Sequence, residues 1–409
     1  MRKHGRWTIR IDTPWLNDPD LLQVFAALEA AGGEVRVVGG AVRDHLLGRP
    51  IKDIDLVTTL QPPAIMAAAD HVGLRTIPTG MDHGTVSILV GGHMFETTTL
   101  RADVETNGRH AVVRFTTDWL EDAQRRDLTM NALYLDPRGE VHDPLGQGLA
   151  DARSETIRFI GTATERIRED YLRILRFFRF HAQLGWPVRD VAGRDACAAE
   201  REGLRRLSVE RIWQEMRLLL AAPDPGPTLT AMRDLGLLAV IAPEIDAAAA
   251  LPADNDSVLR LAALIGDRQA ARSLARRWKL SRADATRLDL ALVDPADTLT
   301  SVALVRRAIY RDGRQALADR SALVVARGGE VAARVLAEIG TWVIPAFPVR
   351  GADLMQAGLK PGPMLGQVLH EMEERWIAGD FSASRADCLD WLPEVIRGLE
   401  VPGSSPRPN

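Results

Sequence analysis

Cysteine is almost missing from this chain. Cys197 and Cys388 lie far apart among 409 residues and outside any metal-ligand spacing. A disulfide framework and a zinc site are therefore set aside, and structural thiols in a reducing compartment are expected. Long apolar runs are missing too. No stretch approaches the roughly 20 apolar residues of a membrane span, and the opening MRKHGRWTIR lacks the apolar run of a signal peptide. A soluble, cytoplasmic protein is expected. Neither a GxxxxGK[ST] P-loop nor a GxGxxG dinucleotide fingerprint occurs. Fixed-period repeats are absent, and the only biased tract is the polar, proline-bearing GSSPRPN at 403–409, which reads as a disordered tail. The formal charge of −4 supplies no global attraction to nucleic acid, yet arginine greatly outnumbers lysine and crowds residues 153 to 217.

Within these limits the chain divides by pattern. Up to about residue 145, short β-rich runs (EVRVVGG, KDIDLVTT, TVSILVGG, MFETTTL, LTMNALYLD) alternate with turn signals and a few helical segments, which predicts a mixed sheet with helices. From about residue 160 strand signals nearly vanish. Apolar residues recur there at helical spacing, broken by Pro and Gly, so the second half reads as an α-helical body. The polar and basic stretch Asp103 to Thr117 reads as a mobile loop over an active site.

The chemistry gathers in VRVVGGAVRDHLLGRPIKDIDLV, read as strand, glycine turn, short helix, turn and strand. Asp53 and Asp55 stand two apart on the second strand, so both carboxylates should share one face and form a hard-oxygen site for Mg²⁺. Gly39 and Gly40 let backbone amides approach a phosphate, with a helix N-terminus behind them. Arg43 in the first helical turn opposes the helix dipole, a placement most easily understood if it meets an anion.

The combined string GGxVRDxLLGxxxxDxD resembles the class II tRNA nucleotidyltransferase (CCA-adding enzyme) and bacterial poly(A) polymerase family. Further motifs of that family follow in order. MFETTTLRAD is similar to the strand supplying a third acidic residue, here Glu96. EDAQRRDLTMNALYLD resembles the RRDxxxNA element, which implies that Arg126 contacts nucleotide phosphates while Asp127 and Asn131 order the backbone and bind ribose. EVHDPLGQG resembles a hinge, so His142 and Asp143 belong to a turn and not to a metal-binding HD pair. A fused HD phosphohydrolase domain is not expected, since beyond His181 only His370 remains.

GTATERIREDYLRILRFFRFHAQLGWP carries the recognition signal. Thr162 and Glu165 fit a capping box, and Gly185 with Pro187 marks a stop, so one helix is predicted. Asp170, Arg173, Arg176 and Arg179 make a slanting strip among apolar residues, so these charges need partners. Salt bridging to Glu165, Glu169 and Asp170 is one reading. The resemblance to the EDxxR motif implies another, in which Asp170 and Arg173 read the edge of the incoming base. In SVERIWQEMRLLL, Glu210 and Arg211 should brace this helix. The turn Lys360-Pro361-Gly362-Pro363 opens a later helix near RNA or serves only as a helix start.

The resemblance thus implies an α+β enzyme, seahorse-like, with a nucleotidyltransferase head (1–145), an all-α neck (146–220), and a helical body and tail that bind tRNA (221–402). The implied reaction is template-independent addition of CCA to tRNA 3′ ends from CTP and ATP. Poly(A) synthesis, A-only addition and a catalytically inactive RNA-binding protein are the alternatives. Two Mg²⁺ ions would be held by Asp53 and Asp55 with Glu96, and the nucleotide by Gly40, Arg43, Arg126, Asp127, Asn131, Asp170, Arg173, Arg176 and Arg179. Arg43, Arg126 and Arg176 would steady the triphosphate. No membrane and no obligatory protein partner are inferred.

Overall fold

The computed structural model describes residues 9–107 and 110–400 and divides into two compact units, 1–248 and 249–409. The N-terminal unit begins with strand and helix in alternation. Its strands are β1 (Ile9–Arg10), β2 (Val35–Val38), β3 (Asp55–Thr58), β4 (Arg75–Gly80), β5 (Thr85–Val90), β6 (His93–Thr99), β7 (Arg101–Asn107), β8 (His110–Phe115), β9 (Tyr134–Leu135) and β10 (Glu140–His142). Eight of them form one sheet in the order β1-β10-β9-β2-β3-β6-β5-β4, in which only β3 and β6 run parallel. Leu56, Val57 and Thr58 of β3 are all buried, as expected of a strand covered on both faces. The helices α1 (Pro19–Ala30), α2 (Gly40–Leu46) and α3 (Pro62–His71) contribute to a core containing Leu21, Val24, Leu28, Val42, Ile65, Ile88 and Leu133.

The expected loop from Asp103 to Thr117 is instead a hairpin. Strands β7 and β8 pair as a separate two-stranded sheet, with an irregular register between Asp103 and Glu105. Polar and β-branched residues in VETN (104–107) and HAVVRF (110–115) pair their backbones across the ladder, although in sequence their polarity resembles that of a loop. The tail at 403–409 lies outside the described residues.

Next come α4 (Trp119–Gln124), α5 (Gly148–Arg153), α6 (Ala163–Glu169), α7 (Leu172–Leu184), α8 (Val191–Ala199) and α9 (Val209–Leu220). Thus the single helix expected from Thr162 to Gly185 is two. The chain leaves α6 at Asp170, whose backbone is extended (φ −154°, ψ 108°), and Asp170 Oδ1 accepts a hydrogen bond from the Leu172 amide as α7 begins. An acidic residue before an apolar run starts a helix better than it continues one. Tyr171 fills the joint, and a Cβ on Gly203 would fall 1.9 Å from its ring, so only glycine fits opposite. Thr162 precedes α6 without the expected side-chain cap, whereas Gly185 ends α7 in the left-handed region as expected (φ 70°).

Helix α7 packs on α9 and buries Leu172, Ile174, Leu175, Phe177, Phe178 and Phe180, with Phe177 stacked on Phe159 at 5.1 Å. In the C-terminal unit, the described residues form helices from Ser257–Ile265 to Leu392–Glu400, and the helix expected after Gly362 runs over Pro363–Ala378. Cys197 and Cys388 are buried and free.

His181 lies inside this apolar face. Its Nδ1–H donates to the Trp186 carbonyl at 2.9 Å, and burial holds its pKa down at about 4 from 6.5, despite that bond. The unfolded chain takes up a proton near pH 6.5 that the folded chain refuses until about pH 4. The stabilisation is therefore complete above 6.5 and is lost as the pH falls toward 4. Relative to His181→Gln, the wild-type protein should lose about 1.4 kcal/mol of stability per pH unit across that window. Urea unfolding of both proteins at a series of pH values would show it, and a constant difference would remove His181 as the cause.

Candidate active site

Sheet register assembles the site. Strand β2 ends at Val38, which pairs across the ladder with Asp55, the first residue of β3. On the other side of β3, Leu56 pairs with Thr97 of β6, so Glu96 comes beside Asp55. The glycine turn, Asp55 and Glu96 therefore meet at one end of three adjacent strands. Asp53 does not share the strand as expected. It lies two residues before β3 in an irregular segment, close enough to act electrostatically on Asp55.

Partial burial raises the Asp55 pKa, and the negative charges of Glu96 and Asp53 raise it further, while Arg126 acts in the opposite sense. All three acidic residues are exposed. Asp55 thus stands among negative charges, from Glu96 at the neighbouring strand position and from Asp53, whose repulsion a hard divalent cation bound by these oxygen donors would remove. The donor set fits magnesium.

Among the described residues, the groups whose possible ligand atoms all lie within 4.8 Å of one another are different ones: Asp18, Asp20 and His93, and Asp136, Glu140 and His142. In each the histidine is already hydrogen-bonded to an aspartate, His93 to Asp20 and His142 to Asp136. Asp143 accepts from the Gly146 and Leu149 amides, which makes its segment the expected turn.

Gly39 adopts φ +71°, ψ −116°, which a side chain would strain, and turns the chain from β2 into α2. A Cβ there would lie 3.6 Å from the Asn131 carbonyl and 3.9 Å from Arg126 Nη1, so Arg126 reaches the same turn. Gly40 begins α2, where the first amides of a helix lack intrahelical acceptors. Arg43 falls in the last turn of this short helix, where a cation is favourable, and not in the first turn as expected, and its guanidinium has protein partners. Its Nε and Nη2 donate to Asp44, and Nη1 donates to Asn131 Oδ1 at 2.7 Å.

Arg126 is held from behind. Nε and Nη2 donate to Asp122 Oδ2, which also accepts from the Tyr134 hydroxyl, while Arg125 occupies Oδ1. Asp122 is fully buried; burial alone would raise its pKa, but Arg126 and Arg125 hold it down at about 2. Neither Asp122 nor Tyr134 was singled out from sequence. The signal available was Asp122 standing three and four residues before the arginine pair on a short helix.

A polar relay runs from this turn into the helices. Asn131 Nδ2 donates to Asp127 Oδ1, and Asp127 Oδ2 accepts from Arg176 on α7 at 2.7 Å. Burial would raise the Asp127 pKa, but Arg176 and these hydrogen bonds bring it down to about 2. Arg179 donates to Glu215 of α9 and to Gln183, and its guanidinium lies over the Phe180 ring at 4.2 Å. Arg179 is thus a buried brace between α7 and α9, while Arg176 spends its charge on Asp127. Glu215, a buried acid on an amphipathic helix, was missed.

The base-reading pair expected from sequence is not a pair here. Asp170 Oδ2 accepts from Arg211 of α9 at 2.6 Å, the bracing expected of Arg211, whereas Arg173 donates to Glu169 and to the Arg166 carbonyl. The helix break at Asp170 turns its carboxylate toward α9 and leaves Arg173 as the second residue of α7. A separate cleft of about 580 Å³, lined by Leu46, Leu47, Leu149 and Trp186, lies at the end of α2 away from the glycine turn.

Three family descriptions match the chain: Poly A polymerase head domain over residues 35–158, an RNA and SrmB-binding site of polymerase A over 194–249, and tRNA nucleotidyltransferase domain 2 over 257–392. The mitochondrial CCA tRNA nucleotidyltransferase 1 of Danio rerio is 34% identical over 392 residues, covering 88% of this chain and 87% of the relative. The CCA-adding enzyme of Streptococcus sanguinis is 34% identical, with coverages of 91% and 96%. The crystal structure of the Bacillus stearothermophilus CCA-adding enzyme in complex with CTP superposes with a TM-score of 0.81 at 28% identity, covering 95% of this chain and 99% of that one.

Asp122→Ala would leave two arginines half-enclosed without their carboxylate. A loss of about 3–5 kcal/mol is expected, the range for breaking a buried ion pair by removing one partner. Urea denaturation would measure it, and a cost no larger than that of an exposed substitution such as Glu29→Ala would exclude Asp122 as the anchor.

Proposed function

Because the chain belongs to the family of CCA-adding tRNA nucleotidyltransferases, we propose that the glycine turn, the carboxylates and the arginines described above are the site at which it extends tRNA. The enzyme adds CMP, CMP and AMP from CTP and ATP to the 3′ end of tRNA and releases pyrophosphate. The observation that carries the site assignment is the register Val38 to Asp55, which brings the phosphate-approaching glycines beside the acidic group.

Attack by the RNA 3′-hydroxyl on the nucleotide α-phosphate forms the new O–P bond as the bond to pyrophosphate breaks in line. Asp53 and Asp55, with Glu96, would hold two magnesium ions, which supply charge neutralisation and a more acidic hydroxyl when bound. Gly39 and Gly40 admit the triphosphate to the backbone. Arg126 presents Nη1 toward it from a fixed seat on Asp122, and Arg43 lies beside it on Asn131. Such donors cost no reorganisation during the reaction because the protein already orients them.

Base choice belongs to Asp170 and Arg173. Cytosine and adenine both set an amino donor beside a ring-nitrogen acceptor, which a carboxylate and a guanidinium complement. Uracil and guanine reverse that order. Arg173 must exchange its bond to Glu169 for the base, whereas Asp170 can keep Arg211, since each carboxylate oxygen accepts more than one hydrogen bond.

We assign the head to 1–145, the neck to 146–220, and the tRNA-holding body and tail to 221–402; the order of the matches, a head domain over 35–158 and tRNA nucleotidyltransferase domain 2 over 257–392, supports this order of parts. Helical surfaces that serve every tRNA should grip its shape and phosphates and not its paired bases. A cytoplasmic site of action completes the reading, and among the described residues no helix is long and apolar enough to cross a membrane.

Asp53→Ala and Asp55→Ala should each reduce incorporation of both nucleotides at least about 100-fold while leaving tRNA affinity nearly unchanged, because they act on the metal and not on the RNA. Primer extension with filter binding on the same proteins tests this, and near-normal extension would move the metal site elsewhere. Asp170→Ala should damage selection more than chemistry. Single-turnover assays with all four nucleotides should show UTP and GTP gaining on CTP and ATP by about tenfold or more, since each lost contact carries about 1–3 kcal/mol of discrimination. An unchanged preference would place base selection on other residues.

A further inference from the structure

Three consecutive residues of the head, Arg125, Arg126 and Asp127, are gripped by three arginines of α6 and α7. Arg176 takes the Asp127 side chain, and Arg173 reaches the Arg125 carbonyl. Arg166 does more. Its Nη2 donates to the carbonyls of both Arg125 and Arg126 at 2.6 Å, and its Nη1 donates to both oxygens of Glu169. Glu169 also accepts from Arg173, which in turn donates to the Arg166 carbonyl at 2.8 Å. One residue is therefore bonded through its side chain to the backbone that carries Arg126, and through Glu169 and its own carbonyl to Arg173.

We propose that Arg166 is the positioning residue that sets the distance between the triphosphate-holding arginine and the base-reading arginine, and thereby links catalytic rate to base selection in this enzyme. The inference rests on the nucleotide-site reading given above. The Arg125 carbonyl belongs to the C-cap of α4 and the Arg126 carbonyl lies one residue beyond it, so neither has an intrahelical donor. A planar guanidinium joins two carbonyls on one side and a carboxylate on the other, which an ammonium cannot match with one point charge. Its side chain is only 12% exposed, so these bonds are sheltered from water. When Arg173 leaves Glu169 to meet a base, Arg166 keeps Glu169 and both carbonyls. The Arg166 carbonyl remains as the tether that holds the base end at a fixed distance from the phosphate end.

Arg166→Ala removes the bonds to the two head carbonyls and to Glu169 at once, and leaves Arg173 tethered to residue 166 only through its backbone carbonyl. Single-turnover incorporation should lose about tenfold or more for CTP and ATP, because misplacement on the ångström scale carries rate losses approaching 100-fold. The preference for C and A over U and G should fall in parallel, with tRNA affinity within about twofold of wild type. Arg166→Lys should recover part of the rate, through one carbonyl, and little of the selectivity. In an Arg173→Ala background, Arg166→Ala should cause no further loss of selectivity, because it acts through Arg173.

Thermal melting of each variant guards against misfolding, and if Arg166→Ala does not fold, Arg166→Lys and Arg166→Gln carry the same comparison. Calorimetric affinities for CTP against UTP read selectivity independently of chemistry. Wild-type addition of CMP and AMP to the same tRNA tests the site reading separately from the variant ratios. A lowered melting temperature with unchanged nucleotide preference would overturn the proposal, as would additive losses of selectivity in the double variant.

Discussion

The ion pair between Asp127 and Arg176 joins two parts of the N-terminal unit that sequence treats as different kinds of structure. Asp127 belongs to the segment that follows α4, and Arg176 to α7. Around this contact the backbone of Arg125 and Arg126, the amide of Asn131 and the guanidinium of Arg43 are all oriented through hydrogen bonds. An aspartate that accepts from Arg176, Asn131 and the Leu128 amide has little freedom left. Its neighbours inherit that rigidity, and so does the arginine aimed at the glycine turn.

Arginine supplies most of this organisation, with different consequences at different positions. Arg179 and Arg176 are satisfied by Glu215 and Asp127 and stabilise the arrangement of α7 with α9 and the head. Arg126 is fixed at one edge by Asp122 and keeps Nη1 toward Gly39. Arg173 is held by neighbours that a base could replace. A guanidinium with five donors can be anchored on one side and present the other, which explains why the site is built from it. The carboxylates at the sheet end are arranged in the opposite manner. Asp53, Asp55 and Glu96 are exposed, and the latter pair crowd each other at neighbouring strand positions, so their energetics improve when a cation arrives.

Much was legible in one dimension because the motifs are local. The strand, glycine turn and helix around Gly39 and Gly40 follow from residues whose conformational preferences act over a few bonds, and the change from β to helical periodicity near residue 150 follows from burial patterns repeated many times. Acidic residues two apart before a buried β run marked the carboxylate-bearing end of the sheet, although the strand starts only at the second. The hairpin of β7 and β8 was misread because its polarity resembles a loop and its pairing is visible only between strands. The helix break at Asp170 was misread because neither proline nor glycine announces it.

Sequence by itself determined the class of fold, the family, and the acidic and glycine-rich ends of the sheet. Tertiary structure alone decided which charges meet. That Asp170 pairs with Arg211 and not Arg173, that Arg125 and Arg126 are seated on Asp122, and that Arg166 joins two backbone carbonyls to Glu169 depend on side-chain distances of about 3 Å between distant segments. Hydrophobic periodicity is averaged over many residues and survives small errors of placement. A hydrogen bond weakens steeply over a few tenths of an ångström and a few tens of degrees, so its partner is chosen only after the whole chain has packed.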